Sequence, residues 1–322
     1  MNSNLYLGID TSNYTTSLAL ADGDGKIIVN LKKLLPVPKS GRGLRQSDAV
    51  FSHVSQMPQL LDELKPFLKK GQVRGVGVSV TPRPVAESYM PCFRVGYMLA
   101  AGFSAALDCP LIPFSHQEGH IMAAYYGSGQ DLPFPSHPFA AFHVSGGTTE
   151  ILQVIPENGH LSVTCIGGTK DLHAGQAIDR IGVRLGLSFP AGPELEKMAL
   201  QAKGPVPSFH VSVSDLTCHL SGLENLAGTL YDKTGDALIT ARYVFEYISE
   251  TIRRLTLNLR AVYPGIPVLY AGGVMSSQFI RSRLKDIPDT AFSDPAYASD
   301  NACGTALLCR RSLSCPATTE GS

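Results

Sequence analysis

The sequence predicts an α/β fold of two duplicated lobes around a central cleft, and three observations carry that prediction. A meander of three strands occurs twice, beginning at Leu5 and again at Phe139, 134 residues later. In each copy a short polar turn follows the first strand, and an Asp-Gly or Asn-Gly turn precedes the third, a strong hairpin signal. After each meander the pattern changes to helical segments alternating with single strands. Lobes of this kind bind their ligands in the crevice outside the strand ends.

Taken in order, "LYLGID", "TSLALA" and "KIIVNLKKL" read as the first three strands, with "TSNYT" and "DGDG" as turns. "SDAVFSHVSQMPQLLDELKPFL" reads as a helix, "VRGVGVSV" as a strand and "RVGYMLAAGFSAAL" as a helix. The second meander is "FAAFHV", "TEILQVI" and "HLSVTCI", with turns at "SGGT" and "PENG". Helices are expected at "GQAIDRIGVRLGL", "GPELEKMALQA" and "GDALITARYVFEYISETIRRLTLNLRAV", then the strand "IPVLYAGG" and the helix "SSQFIRSRLK". This organisation is that of actin-like ATPases and sugar kinases. Its expected boundaries are an N-terminal lobe over residues 1–135, completed by a C-terminal helix at about 299–313, and a second lobe over 136–298. Residues 314–322 read as a disordered tail.

The 322 residues are 44% hydrophobic and 17% charged, and Lys+Arg and Asp+Glu both number 27. A net charge of zero excludes a general nucleic-acid coat protein but leaves room for a local docking patch. The nearest candidates are Lys32, Lys33, Lys39, Arg42 and Arg45, and the pair Arg253 and Arg254, each also readable as a solvated face. Seven cysteines without a C-x-x-C pair read as reduced thiols of a cytoplasmic protein. "MNSNLYLGID" enters a strand at once, so no secretory leader is expected. The apolar run "GYMLAAGFSAALDCPLI" is interrupted by Gly102, Ser104 and Asp108, so no membrane span is expected either.

Several stretches have the chemistry of a ligand site. In "HQEGH" the imidazoles of His116 and His120 stand four residues apart, on one face of a helix. The pattern is not a zincin helix, because Glu118 is third rather than second, and a third ligand must come from elsewhere. Asp300, in "SDNACGTALL", supplies a carboxylate at a helix start, where it also reads as an N-cap beside Asn301. Together the three would form a site with open positions suited to Fe(II), Zn or Mn. "HVSGGTTE" offers a phosphate cradle around Val144, Ser145, Gly146, Gly147 and Thr148, with Thr149 adding a hydroxyl. Gly272 and Gly273 form a strand-to-helix turn that exposes helix N–H groups. Pro190, Gly192 and Pro193 make a rigid rim, and Asp179 could accept from ribose hydroxyls or simply sit at the surface beside Arg180.

In order and spacing, "GIDTSNYTTSLAL", "HQEGH", "HVSGGTTEI", "AGQAIDRIGVRLGLSFPAGPELEKMA", "LSGLENL", "LYAGGVMSSQFIRSRL" and "SDNACGTALL" resemble the tRNA threonylcarbamoyladenosine synthase family, once called O-sialoglycoprotein endopeptidases. The resemblance implies an actin-like fold that binds ATP or threonylcarbamoyl-adenylate with one divalent metal, Fe(II) or Zn, and works with partner proteins on tRNA. It places His116, His120 and Asp300 as metal ligands, and the turn at Ser145, Gly146 and Gly147, with Asp179 and Gly192, at the nucleotide. The departures describe a diverged paralogue. Tyr14 and Thr15 stand where the family's first turn is acidic, Thr148 where it has histidine, Ser277 where it has asparagine and Glu224 where it has lysine. "TPRPVAESYMPCFRVG" replaces a shorter glycine-rich segment. No catalytic residue is assigned. Beside the transferase reading stand a silent nucleotide- and metal-binding scaffold or regulator, favoured by the altered first turn, and a carbamoyltransferase with a small-molecule acceptor. A peptidase is not supported, since no activated nucleophile is visible.

Overall fold

The structure, a computed structural model, describes residues 4–12, 14–36, 44–68, 71–84, 88–129, 135–298 and 301–314. The chain divides into two compact units. One comprises residues 1–137, 155–163 and 296–322, the other residues 138–154 and 164–295.

In the first unit β1 (Leu5–Ser12), β2 (Thr15–Asp22) and β3 (Ile27–Leu34) form an antiparallel meander. β1 is buried along its whole length and β2 along nearly all of it, so each carries an apolar run, LYLGI and LALA, with buried polar residues at the end next to the turn. The Asp-Gly turn closes because Asp22 Oδ1 accepts from Asp24 N at 3.0 Å and Lys26 N at 2.9 Å. α1 (Gln46–Leu64) leads to β4 (Val73–Thr81), and α2 (Phe93–Leu107) leads to β5 (Leu111–Ser115) and α3 (His116–Gly127). β4 and β5 add in parallel, so the sheet order is β3-β2-β1-β4-β5.

The second meander follows as β6 (Phe139–Val144), β7 (Thr149–Glu157) and β8 (His160–Thr169), with residues 155–163 at the β7–β8 hairpin counted in the first unit and the rest in the second. α4 (Ala174–Arg184), α5 (Gly192–Gln201), β9 (Ser212–Ser214), β10 (Thr217–His219), α6 (Ser221–Thr234) and α7 (Ala237–Val262) follow. β11 (Val268–Ala271), α8 (Gln278–Leu284) and β12 (Thr290–Phe292) complete it, with sheet order β12-β11-β6-β7-β8-β10-β9. α7 buries Val244, Phe245, Ile248, Ile252, Leu255 and Leu259 in the core of this unit. The last helix, α9 (Cys303–Ser314), belongs to the first unit.

Some elements differ from the sequence reading. β5, β9, β10 and β12 have no alternating pattern of their own, because each is only three to five residues long. α6 starts without an N-cap hydrogen bond from its own flank. Its start is held instead by Asp171, which accepts from Leu220 N at 2.8 Å and Ser221 N at 3.2 Å, a partner 49 or 50 residues away. Burial works against the Asp171 carboxylate, but its hydrogen bonds from Ser221, Leu220 and Leu172 hold it well below the usual range. The helix expected at 299–313 begins at Cys303, whose N–H is taken by Asn301 Oδ1 at 3.0 Å, so Asn301 serves as the capping side chain. Asp300 lies outside the described residues, as do Lys39, Arg42 and residues 315–322 of the expected tail. Ser314 of that tail ends α9. Among the described residues no helix is long and apolar enough to cross a membrane.

Candidate functional site

Two sets of residues matter, one in each unit. In the first unit, α3 begins at His116 because Ser115 caps it. Glu118 N donates to Ser115 Oγ at 3.2 Å, and Glu118 Oε2 accepts in return from Ser115 N at 2.7 Å. The other carboxylate oxygen, Oε1, accepts from Leu161 N and meets His160 Nδ1, both at 3.3 Å. Burial alone would raise the Glu118 carboxyl, yet these hydrogen bonds from His160, Ser115 and Leu161 leave it lowered. The glutamate of "HQEGH" therefore fixes the helix that bears the histidines.

The two imidazoles lie edge to face, with centroids 4.3 Å apart, as the four-residue spacing requires. Behind them stands Asp10, near the end of β1, only 1% exposed. Its Oδ2 meets His116 Nδ1 at 2.7 Å and accepts from Ser79 Oγ at 2.6 Å, while Oδ1 accepts from Ser12 N at 2.8 Å. α3 and α9 come close enough that a Cβ on Gly304 would run into the Gly119 carbonyl. This brings the start of α9 against the histidine helix. Among the described residues no cluster of three His, Cys, Asp or Glu side chains could hold a metal. The two histidines suit a metal by ligand type, and a carboxylate behind His116 is one of the partners that metal-bound imidazoles take at their other nitrogen.

In the second unit a cavity of about 460 Å³ is lined by Gly146, Asp179, Gly192, Gly273 and Ser277 from the expected site, together with Phe189, Pro190 and Glu196. Gly146 faces open space at its Cβ position, whereas a Cβ on Gly175, at the start of α4, would sit 2.6 Å from Gly146 Cα. The turn is thus held from behind and open in front. Its hydroxyls are engaged within the protein. Ser145 Oγ donates to Thr148 Oγ1 at 3.1 Å, and Thr149 Oγ1 accepts from Ala174 N at 3.0 Å. Ser145, Gly147 and Thr148 do not line the cavity. Val144 and Gly272 do not either; Gly272, at φ +96°, packs on the Val144 backbone.

Asp179 is not a free surface carboxylate beside Arg180. Its Oδ1 accepts from Ala191 N at 2.8 Å, which ties α4 to the Pro190–Pro193 rim, while Arg180 pairs with Glu224 at 2.9 Å. Ser277 Oγ donates to Glu196 Oε1 at 2.7 Å and accepts from Ile280 N at 3.2 Å, so it caps α8 while lining the cavity. The basic pair of the sequence reading is internally matched, Arg253 to Asp286 and Arg254 to Glu250.

The family described as tRNA N6-adenosine threonylcarbamoyltransferase (TsaD) matches residues 43–307. The chain belongs to that family. It is 29% identical over 310 residues to the enzyme of that name from Thermus thermophilus, covering 95% of this chain and 92% of the other. The counterpart from Streptococcus equi subsp. zooepidemicus is 28% identical, with 94% and 90% covered. Family members are transferases that modify tRNA. Solved structures that resemble it include HypF of T. kodakarensis, at TM-score 0.59 and 13% identity, covering 97% of this chain and 48% of that one. A ROK family glucokinase from Streptomyces griseus gives TM-score 0.51 at 13% identity, with 96% and 100% covered. The fold is that of the actin-like ATPases, as the duplicated meander predicts.

Within that family frame, sequence reasoning passed over Asp10, Phe189 and Glu196. A lone carboxylate near the end of a fully buried strand was a usable signal for Asp10. The partner of Glu196 is 81 residues away, beyond any local pattern.

Proposed function

We propose that this chain moves a threonylcarbamoyl group from threonylcarbamoyl-adenylate to an adenosine of tRNA, and that it depends on bound nucleotide and a divalent metal. The observation that carries the nucleotide half is the cavity of about 460 Å³, which gathers five of the expected contact residues in one place. Its volume is in the range of small-molecule and cofactor sites. Phe189, Ile178 and Val274 offer apolar walls for a base, and Asp179 offers its second carboxylate oxygen to ribose hydroxyls. Gly146 and Gly273 let a ligand approach the backbone.

His116, His120 and Asp300 would hold the metal, Fe(II) or Zn, which would supply Lewis-acid polarisation of a phosphoryl or carbonyl oxygen. The reaction joins the adenosine N6 to the carbamoyl carbon, breaks the bond from that carbon to the phosphate oxygen, and releases AMP and the amine proton. Acceptor tRNA and the proteins that make the adenylate are the expected partners, in the cytoplasm.

The test is transfer of labelled threonine into unmodified tRNA, with bicarbonate, ATP and the enzyme that makes the adenylate. Label that depends on this chain, and that is lost in His116→Ala, is the expected result. Absence of label with protein that binds both AMP and zinc would overturn the transferase reading in favour of a silent scaffold.

A further inference from the structure

We infer that Asp10 is the positioning residue of the histidine pair, selecting the His116 tautomer whose Nε2 carries the lone pair for a divalent cation. The inference rests on the metal reading above for the cation, but its structural part stands on the Asp10 environment.

A carboxylate accepts and does not donate, so the 2.7 Å contact between Asp10 Oδ2 and His116 Nδ1 places the hydrogen on Nδ1. In a neutral imidazole the lone pair is then on Nε2, the form that can bind a metal. Asp10 itself has little freedom to turn. Ser12 N donates to Oδ1, and a backbone N–H can never become an acceptor. Ser79 Oγ donates to Oδ2 from the neighbouring strand β4 and lies 3.4 Å from Thr305 Oγ1 on α9. The carboxylate therefore joins β1, β4 and α3, with α9 reached through Ser79.

The same arrangement says what an amide would do. In Asp10→Asn the Ser12 N–H keeps the amide oxygen at the Oδ1 position. The NH2 group then falls on the Oδ2 side, where it donates to His116 Nδ1 and drives the hydrogen to Nε2. Shape and volume are nearly unchanged, yet the imidazole is presented in the wrong tautomer, as in the Asp-to-Asn change of a catalytic triad.

The experiment uses metal-free full-length protein labelled with 15N-histidine, read by long-range 1H–15N correlation at pH about 8.5, where imidazoles are neutral. His116 is assigned by its absence in His116→Gln. Wild-type protein is expected to show the Nδ1–H tautomer at His116, and Asp10→Asn the Nε2–H tautomer. Titration with zinc alone should then be about 10- to 100-fold weaker in Asp10→Asn. Ser79→Ala removes a hydrogen bond to Asp10 but keeps the carboxylate, so it should keep the Nδ1–H tautomer. An Nε2–H tautomer in the wild type would overturn the inference with no variant needed. So would Asp10→Asn with unchanged tautomer and zinc affinity. Wild-type protein with the Nδ1–H tautomer that takes up no zinc would instead overturn the metal reading.

Discussion

The two meanders place a turn at the same point, and the two turns are built for opposite ends. In the first, Ser12 pairs with Thr15, so only two residues join the strands. In the second, Val144 pairs with Thr149, and the loop is Ser145 to Thr148 with glycine at both centre positions. Around the first turn the serine and threonine hydroxyls are buried: Ser12, Thr15 and Thr16 are 3% exposed or less. Thr16 Oγ1 donates to Gln56 Oε1 at 2.9 Å and meets the buried His53 Nδ1 at 2.8 Å. Around the second, Gly146 opens on a cavity. One copy of the repeat anchors Asp10 among buried hydroxyls, while the other opens on a cavity.

The largest effect should come from filling the open turn. Gly146 takes no positive φ and has space at its Cβ position, so Gly146→Val should change stability by less than about 0.5 kcal/mol. Because it lines the cavity, AMP binding should weaken by about tenfold or more, a loss of at least about 1.4 kcal/mol. Gly175 also lines the cavity but packs on Gly146, so stability is where it should differ. Gly175→Val would drive a side chain into Gly146 and cost about 1–3 kcal/mol of stability. Urea midpoints and calorimetric titration with AMP separate the two. If Gly146→Val binds AMP like wild type, the cavity is not the nucleotide site and the contrast between the turns is lost.

How far this contrast could be read in the sequence depends on the range of the contacts. The repeat, its two turns and the helix carrying His116 and His120 follow from local periodicity and Gly placement. So does the glycine step at Gly146. What made the first turn a buried anchor did not, because its partners are distant: His53 is 37 residues from Thr16, and Ser79 is 69 from Asp10. Hydroxyls mislead for the same reason. Ser145, Thr148 and Thr149 look like ligand groups, but they satisfy each other and the start of α4.

A smaller effect probes the buried side of the first turn through pH. Thr16 gives its hydrogen to Gln56, so it must accept from His53 Nδ1–H, and His53 Nε2 is buried without a hydrogen-bond partner among the described residues. Burial pushes the His53 imidazole down, against the opposing pull of the Ser12 backbone and the Asp10 charge. A histidine lowered on folding takes up its proton more readily when unfolded. Its stabilising contribution is complete above the unfolded value of about 6.5 and falls away as pH drops below it. Wild-type urea midpoints should therefore fall between pH of about 7.5 and about 5 by more than those of His53→Asn, whose amide can still donate to Thr16. Parallel curves for the two proteins would show that His53 is not held neutral.

The smallest effect concerns Tyr14, which follows Ser12 in the first turn by two positions. Its side chain is largely open to solvent, the residue being 43% exposed, while its backbone carbonyl accepts from Leu35 N at 2.9 Å. Tyr14→Ala keeps that carbonyl, so stability should change by no more than about 0.5 kcal/mol. Thr16→Ala, two positions on, strips the acceptor from buried His53 and the donor from Gln56, and should cost about 1–3 kcal/mol. Equilibrium denaturation of the two variants beside wild type measures the difference. A large loss in Tyr14→Ala would mean that the tyrosine itself shapes the turn. A loss confined to Thr16→Ala would mean that the anchor lies wholly on the buried side, leaving position 14 open to change without harm to the fold.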